Sequence, residues 1–201
     1  MSFTGGEPLV RKDAALIIEK LASLPIELAI TTNGVIVDKF IDTFKKIELK
    51  KINVSLDILN NVHILLEPVG TILKRSIQYI LVNEGFEVKI SCVLIKDFNE
   101  HEIIYFIVLI KNCAVQIRFI EFTSFDGNNR NLEKLVSTEE VWQQVYNKYD
   151  TSSYSRLNDV PNDTAKNIQI RGYKGTFAVI GSVVTNPFCD SCNRIRLTVN
   201  G

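Results

Sequence analysis

Along this chain the apolar residues switch repeatedly between a repeat of about two and a repeat of about 3.6 positions, and this alternation constrains the fold more than any other feature. Residues 14–24 read as a helix with Asp13 placed to cap it, 26–32 as a strand ended by Asn33-Gly34, and 37–49 as a helix with Phe40, Ile41, Phe44 and Ile47 on one side. Residues 51–57 return to strand and 71–83 to helix, followed by strand over 87–96, helix over 100–113 and strand over 114–122. One strand and one helix together occupy about 30 residues, the length of a βα crossover unit. Such units build a parallel sheet, open or curled into a barrel. Ligands then gather beyond the carboxyl ends of the strands. The turns TGGEP (4–8) and TTNG (31–34) and the Ser-Leu-Asp at 55–57 fall there.

Beyond Phe122 the pattern breaks. Residues 123–131 read as a polar loop, and 138–149 as a helix that Ser137 and Glu140 close as a capping box. The Ser-, Asn-, Asp- and Pro-rich stretch 151–167 reads as a linker, and 168–173 and 176–184 as two strands before the terminal segment NPFCDSCNRIRLTVNG. The predicted division is therefore a partial barrel core over 1–125 and a C-terminal region over 126–201.

Charge bounds what such a chain binds. Lys+Arg and Asp+Glu both number 23, so no global field draws nucleic acid or membrane, and an anion site must be a local pocket. No apolar run approaches the roughly 20 residues that span a bilayer, and MSFTGGEP has neither the charged start nor the apolar core of a signal peptide. Four cysteines in 201 residues do not make a disulfide scaffold, which points to a reducing, intracellular compartment and a soluble protein.

Four features carry chemistry. The paired glycines Gly5-Gly6 let a ligand approach the backbone, and Glu7 can accept from an ammonium, although an ordinary turn before a helix has the same sequence. Cys189-x-x-Cys192 presents two thiolates to one metal, as in zinc or iron–sulfur sites, or else forms a redox dithiol. Arg194 and Arg196, two apart on a strand, project their guanidiniums to one face and suit a phosphate-bearing ligand as well as they suit a solvated basic edge. Lys89 and Arg118 sit inside otherwise apolar strands, where a charge either meets an anion in the lumen or snorkels outward. Cys92, Cys113 and Trp142 read as packing residues, and His63 and His101 as surface positions.

Taken in order, FTGGEPLVRKD, ITTNG, KINVSLD, VKISCVL, IRFIEF, FDGNNRNLEKLVS, GYKGTFAVI and FCDSCNRIRLTVNG resemble the MoaA, or GTP 3′,8-cyclase, family of molybdenum cofactor biosynthesis over residues 2–201. FCxxCNRxRLTxxG is the most specific piece of the resemblance. It implies an incomplete, TIM-like (βα) barrel of the radical SAM type with a C-terminal extension. It also implies a lyase that uses S-adenosylmethionine and two [4Fe–4S] clusters: a 5′-deoxyadenosyl radical takes a ribose hydrogen from GTP, and the sugar then attacks the purine. By resemblance Gly5, Gly6, Glu7 and Ser55 contact S-adenosylmethionine, and Thr31, Lys89, Arg118, Arg194 and Arg196 contact GTP. Cys189 and Cys192 ligate the second cluster. A homodimer is implied as well, in the mitochondrial matrix of a eukaryote or the cytoplasm of a bacterium.

Some family features are missing. The C-x3-C-x2-C that builds the first cluster does not precede TGGEP, Thr123 stands where the family often has methionine, and a third ligand for the second cluster is implied past Gly201. The expectation for the chain as written is therefore an inactive polypeptide, and the alternative to a cyclase is a remnant that keeps partial nucleotide and S-adenosylmethionine binding.

Overall fold

The computed structural model describes residues 1–59, 82, 84–122, 132–158 and 165–181. Among the described residues eight strands form one sheet: β1 Ser2–Phe3, β2 Ala29–Thr32, β3 Lys51–Ser55, β4 Glu87–Leu94, β5 Val115–Glu121, β6 Tyr154–Arg156, β7 Lys166–Ile170 and β8 Thr176–Ile180. Their order is β1-β2-β3-β4-β5-β8-β7-β6. The first five are parallel and follow the chain, β8 runs parallel beside β5, and β7 and β6 complete the sheet antiparallel. The sheet stays open among the described residues, with β1 and β6 as its edges.

Strand alternation assigns the two faces. One face carries Ile30, Ile52, Val54, Ile90, Ile117, Phe119 and Phe177, all shielded from solvent. Helices α1 (Ala14–Ala22), α2 (Ile41–Lys46), α3 (Ile103–Leu109) and α4 (Thr138–Lys148) supply Ile18, Phe44, Phe106 and Val145 to the same core. Phe119 meets Phe106 edge-on at 6.0 Å and lies 6.4 Å from Phe177. Each such side chain stabilises the fold by about 1.5–3 kcal/mol through burial. The other face carries Thr31, Asn53, Lys89, Ser91, Gln116 and Arg118, all half-buried.

The observed helices are shorter than the sequence periodicity suggests. Residues 37–49 begin with a 3₁₀ turn, Val37–Phe40, before α2, and 100–113 begin with another, Glu100–Glu102, before α3. Asp13 occupies the N-cap position of α1 without a side-chain cap, because Arg11 holds both of its oxygens, at 2.8 and 2.9 Å. Ser137 and Glu140 do close α4 as a capping box. The stretch expected to be a linker is partly strand. Tyr154–Arg156 pairs antiparallel with Ile168–Ile170, and Tyr154 packs 6.2 Å from Trp142, so a tertiary partner orders residues whose composition favours loop. The predicted helix 71–83 for the most part, and the predicted loop 123–131, lie outside the described residues.

Candidate functional site

The β1–helix and β2–helix turns meet at Glu7. Its Oε1 accepts from the Leu9 N–H at 3.1 Å and the Thr32 hydroxyl at 2.8 Å, and its Oε2 accepts from the Asn33 N–H at 2.6 Å. Thr32 Oγ1 in turn accepts from the Gly34 N–H at 3.1 Å, and Asn33 Oδ1 from the Val35 N–H at 2.9 Å. The GGEP carboxylate therefore ties the two turns together. A carboxylate has about four acceptor sites, so three protein donors leave room for one more.

A concavity of about 340 Å³ opens beside this tie, lined by Thr4, Gly6, Glu7, Thr31, Thr32, Asn33 and Ser55. Gly5 has φ +131°, a conformation that side chains rarely adopt, and a Cβ at Gly5 or Gly6 would meet nothing within 4 Å. A ligand can therefore come close to this backbone. Ser55 ends β3 opposite Ser91, and the next residue continues the ladder, its N–H donating to Ser91 C=O at 2.9 Å.

From the concavity a polar network runs along the second face of the sheet. Thr31 Oγ1 lies 3.1 Å from Ser2 Oγ and accepts from Asn53 Nδ2 at 3.3 Å. The Arg118 Nη2 donates to Asn53 Oδ1 at 3.2 Å and to Ser91 Oγ at 2.8 Å. Lys89 shares the face, in register with Asn53 on one side and Gln116 on the other. Gln116 Nε2 donates to Asn167 Oδ1 on β7.

A second network supports the rim from behind. Asn99, fully buried, donates from Nδ2 to the Asp57 and Val93 carbonyls, both at 2.8 Å, and accepts from the Ile95 N–H at 2.8 Å. Asp57 Oδ1 accepts from the Val93 N–H at 2.8 Å, and Glu102 Oε2 from the Leu59 N–H at 2.6 Å. Desolvation, reinforced by the nearby Asp57 and Glu102 carboxylates, pushes the Cys92 thiol well above its ordinary range, and burial also raises Cys113. Both thiols are free and buried, and burial disfavours the thiolate form.

Gly6, Glu7, Thr31 and Ser55 thus converge on one concavity, and Arg118 reaches it through Asn53, while Lys89 lies on the same face. Cys189, Cys192, Arg194 and Arg196 fall outside the described residues. Sequence reasoning singled out neither Asn53 nor the Thr32–Asn33 contribution to the Glu7 tie. A signal for Asn53 existed, because KINVS alternates and places it with Lys51 and Ser55, opposite Ile52 and Val54.

Residues 1–110 match the model of the Radical SAM superfamily, and residues 115–201 match Molybdenum Cofactor Synthesis C. The chain is 36% identical to molybdenum cofactor biosynthesis protein 1 of Dictyostelium discoideum, over 99% of its own length and 32% of the relative's. It is 39% identical to the mitochondrial GTP 3′,8-cyclase of Arabidopsis thaliana, over 98% of its own length and 51% of the relative's. It therefore spans about half of these curated relatives or less. Among solved structures, Streptococcus suis SuiB bound to S-adenosylmethionine superposes with a TM-score of 0.58 at 18% identity, covering 94% of this chain and 41% of that one.

Proposed function

The chain belongs to the radical SAM superfamily, in its molybdenum cofactor synthesis branch, and from that premise we propose that it acts as a GTP 3′,8-cyclase. The reaction converts GTP to the cyclised precursor of cyclic pyranopterin monophosphate. The observation that carries this reading is the union of a glycine-lined concavity at the carboxyl ends of parallel strands with a polar face bearing Lys89 and Arg118. S-adenosylmethionine and [4Fe–4S] clusters supply radical chemistry when bound. The concavity suits the first of these: its glycines admit the ligand to the backbone, and Glu7 retains an acceptor site for an ammonium.

In this reading Gly5, Gly6, Glu7 and Ser55 hold the methionine and ribose groups of S-adenosylmethionine. Thr31, Lys89 and Arg118, with Arg194 and Arg196, hold GTP, and Cys189 and Cys192 hold iron of the second cluster. Residues 1–125 form the barrel core and 126–201 the C-terminal region. The proposal includes a homodimer, in the mitochondrial matrix if the source is eukaryotic and in the cytoplasm if it is bacterial. Among the described residues no helix is long and apolar enough to cross a membrane.

Equilibrium GTP binding to the reconstituted full chain tests the assignment. A charge-assisted contact contributes about 1.5–3 kcal/mol, so Lys89→Ala and Arg118→Ala should each weaken GTP about tenfold or more. Undiminished GTP affinity in both variants would remove the basis of the substrate assignment.

A further inference from the structure

Resting on the reading of Glu7 as the acceptor for the ammonium of S-adenosylmethionine, we propose that Thr32 is a positioning residue that fixes the Glu7 carboxylate beside the concavity. Three donors hold that carboxylate, and they differ in origin. Leu9 and Asn33 each give a backbone N–H, which almost any residue at those positions would supply. The third is the Thr32 hydroxyl, at 2.8 Å, and it alone of the three belongs to a side chain.

Thr32 is 2% exposed, so its hydroxyl needs partners inside the protein. Its single proton goes to Glu7 Oε1, and a lone pair accepts the Gly34 N–H at 3.1 Å. That second bond closes the turn after β2, where Gly34 has φ +79°. Asn33, whose N–H reaches Glu7 Oε2, stands between the two residues that the bond joins. One hydroxyl therefore holds Oε1 directly and steadies the donor to Oε2. With both oxygens gripped from β2, the carboxylate does not swing about its terminal bond. Its plane is set with respect to the concavity that Glu7 and Thr32 both line. Thr31, one position earlier, bonds to Ser2 and Asn53 instead, so the two adjacent threonines serve different networks.

Valine has the shape of threonine without its hydroxyl. At position 32 it would leave Glu7 one donor short and remove the acceptor of the Gly34 N–H. Equilibrium binding of S-adenosylmethionine and, separately, of GTP to the full chain tests the role, with a thermal melt of each variant. Thr32→Val is expected to weaken S-adenosylmethionine about tenfold and to change GTP much less. Thr32→Ser restores the hydroxyl and should recover most of the loss. Thr32→Cys keeps a weaker donor in the same place; it should fall between the two, and it serves if the valine variant does not fold. In a Glu7→Ala background Thr32→Val should add little, because its effect on the ligand passes through the carboxylate.

Parental affinity for S-adenosylmethionine in Thr32→Val would overturn the proposal. So would equal loss of both ligands with a lowered melting temperature, or an undiminished effect in the Glu7→Ala background, either of which would make Thr32 a purely structural residue. Glu7→Ala by itself separates the two levels of inference. If it loses S-adenosylmethionine and Thr32→Val does not, only the role of Thr32 fails. If Glu7→Ala binds as the parent does, or the parent binds no S-adenosylmethionine, the reading of Glu7 fails with it.

Discussion

On the covered face of the sheet Ile30, Ile52, Ile90 and Ile117 are fully shielded, whereas one position along the same strands Thr31, Asn53, Ser91 and Arg118 are half-buried and hold one another by hydrogen bonds. The backbone is common to both sets, and only the side of the pleat differs. Stability and binding are therefore separated by a single residue step. The covered face gains from each methylene it shields. The polar face must keep its groups paired with one another and still open to a ligand.

This contrast can be broken most forcefully from the covered side. Phe119 is fully buried between Phe106 and Phe177, and Phe119→Ala should cost about 3–5 kcal/mol. Denaturant unfolding would measure it. A loss below about 1 kcal/mol would mean that the aromatic cluster is not the stabilising centre it is taken to be.

Gly175 is the next strongest test. It enters β8 against the end of α3, its N–H donating to Ile110 C=O at 3.0 Å, and a Cβ there would lie 2.2 Å from Val115 O and 2.7 Å from Cys113 O. Both obstacles are backbone, so Gly175→Ala should cost about 1–3 kcal/mol by displacing β8 from β5. Hydrogen exchange should show the loss of protection concentrated in those two strands.

A smaller effect is expected at the cap of α4. Ser137→Ala removes the acceptor of the Glu140 N–H and should cost about 1 kcal/mol. The Ser137 N–H, and to a lesser degree Lys96, hold Glu140 below the usual carboxylate range. A carboxyl lowered in the folded state adds stability above its unfolded pKa of about 4.3. That contribution disappears as pH falls through the lower folded value. Glu140→Gln should therefore flatten the stability profile below about pH 4.3 and leave its shape at neutral pH alone, as thermal melts across that range would show.

The smallest stability change belongs to the polar face. Ser91→Ala removes one of the two acceptors of Arg118 Nη2 and should cost about 1 kcal/mol or less, yet it should weaken ligand binding. A large stability loss there would erase the distinction between the faces.

Much of this arrangement was legible in the sequence. Alternation in VKISCVL and VQIRFIE assigned Lys89 and Arg118 to the face opposite Ile90 and Ile117, and the structure agrees. Ser137 and Glu140 announced a capping box that forms. Such features are local: a period of two or a spacing of three residues depends only on neighbouring positions. The order of β1 to β5 was expected on a different ground, because crossover connections set consecutive strands of βα units side by side.

Side-chain contacts between distant segments were not legible, because nothing in one segment encodes which side chain it will meet. Sequence could not show that Glu7 would spend its carboxylate on Thr32 and Asn33, 25 and 26 positions away. Nor could it show that Asn53 would meet Arg118, 65 positions on, or that Tyr154–Arg156 would leave a loop-like stretch to become an edge strand. The sequence by itself determined which residues share a face. Only the tertiary structure decided which of them touch, because contact depends on the registers and packing of strands that the chain brings together after folding.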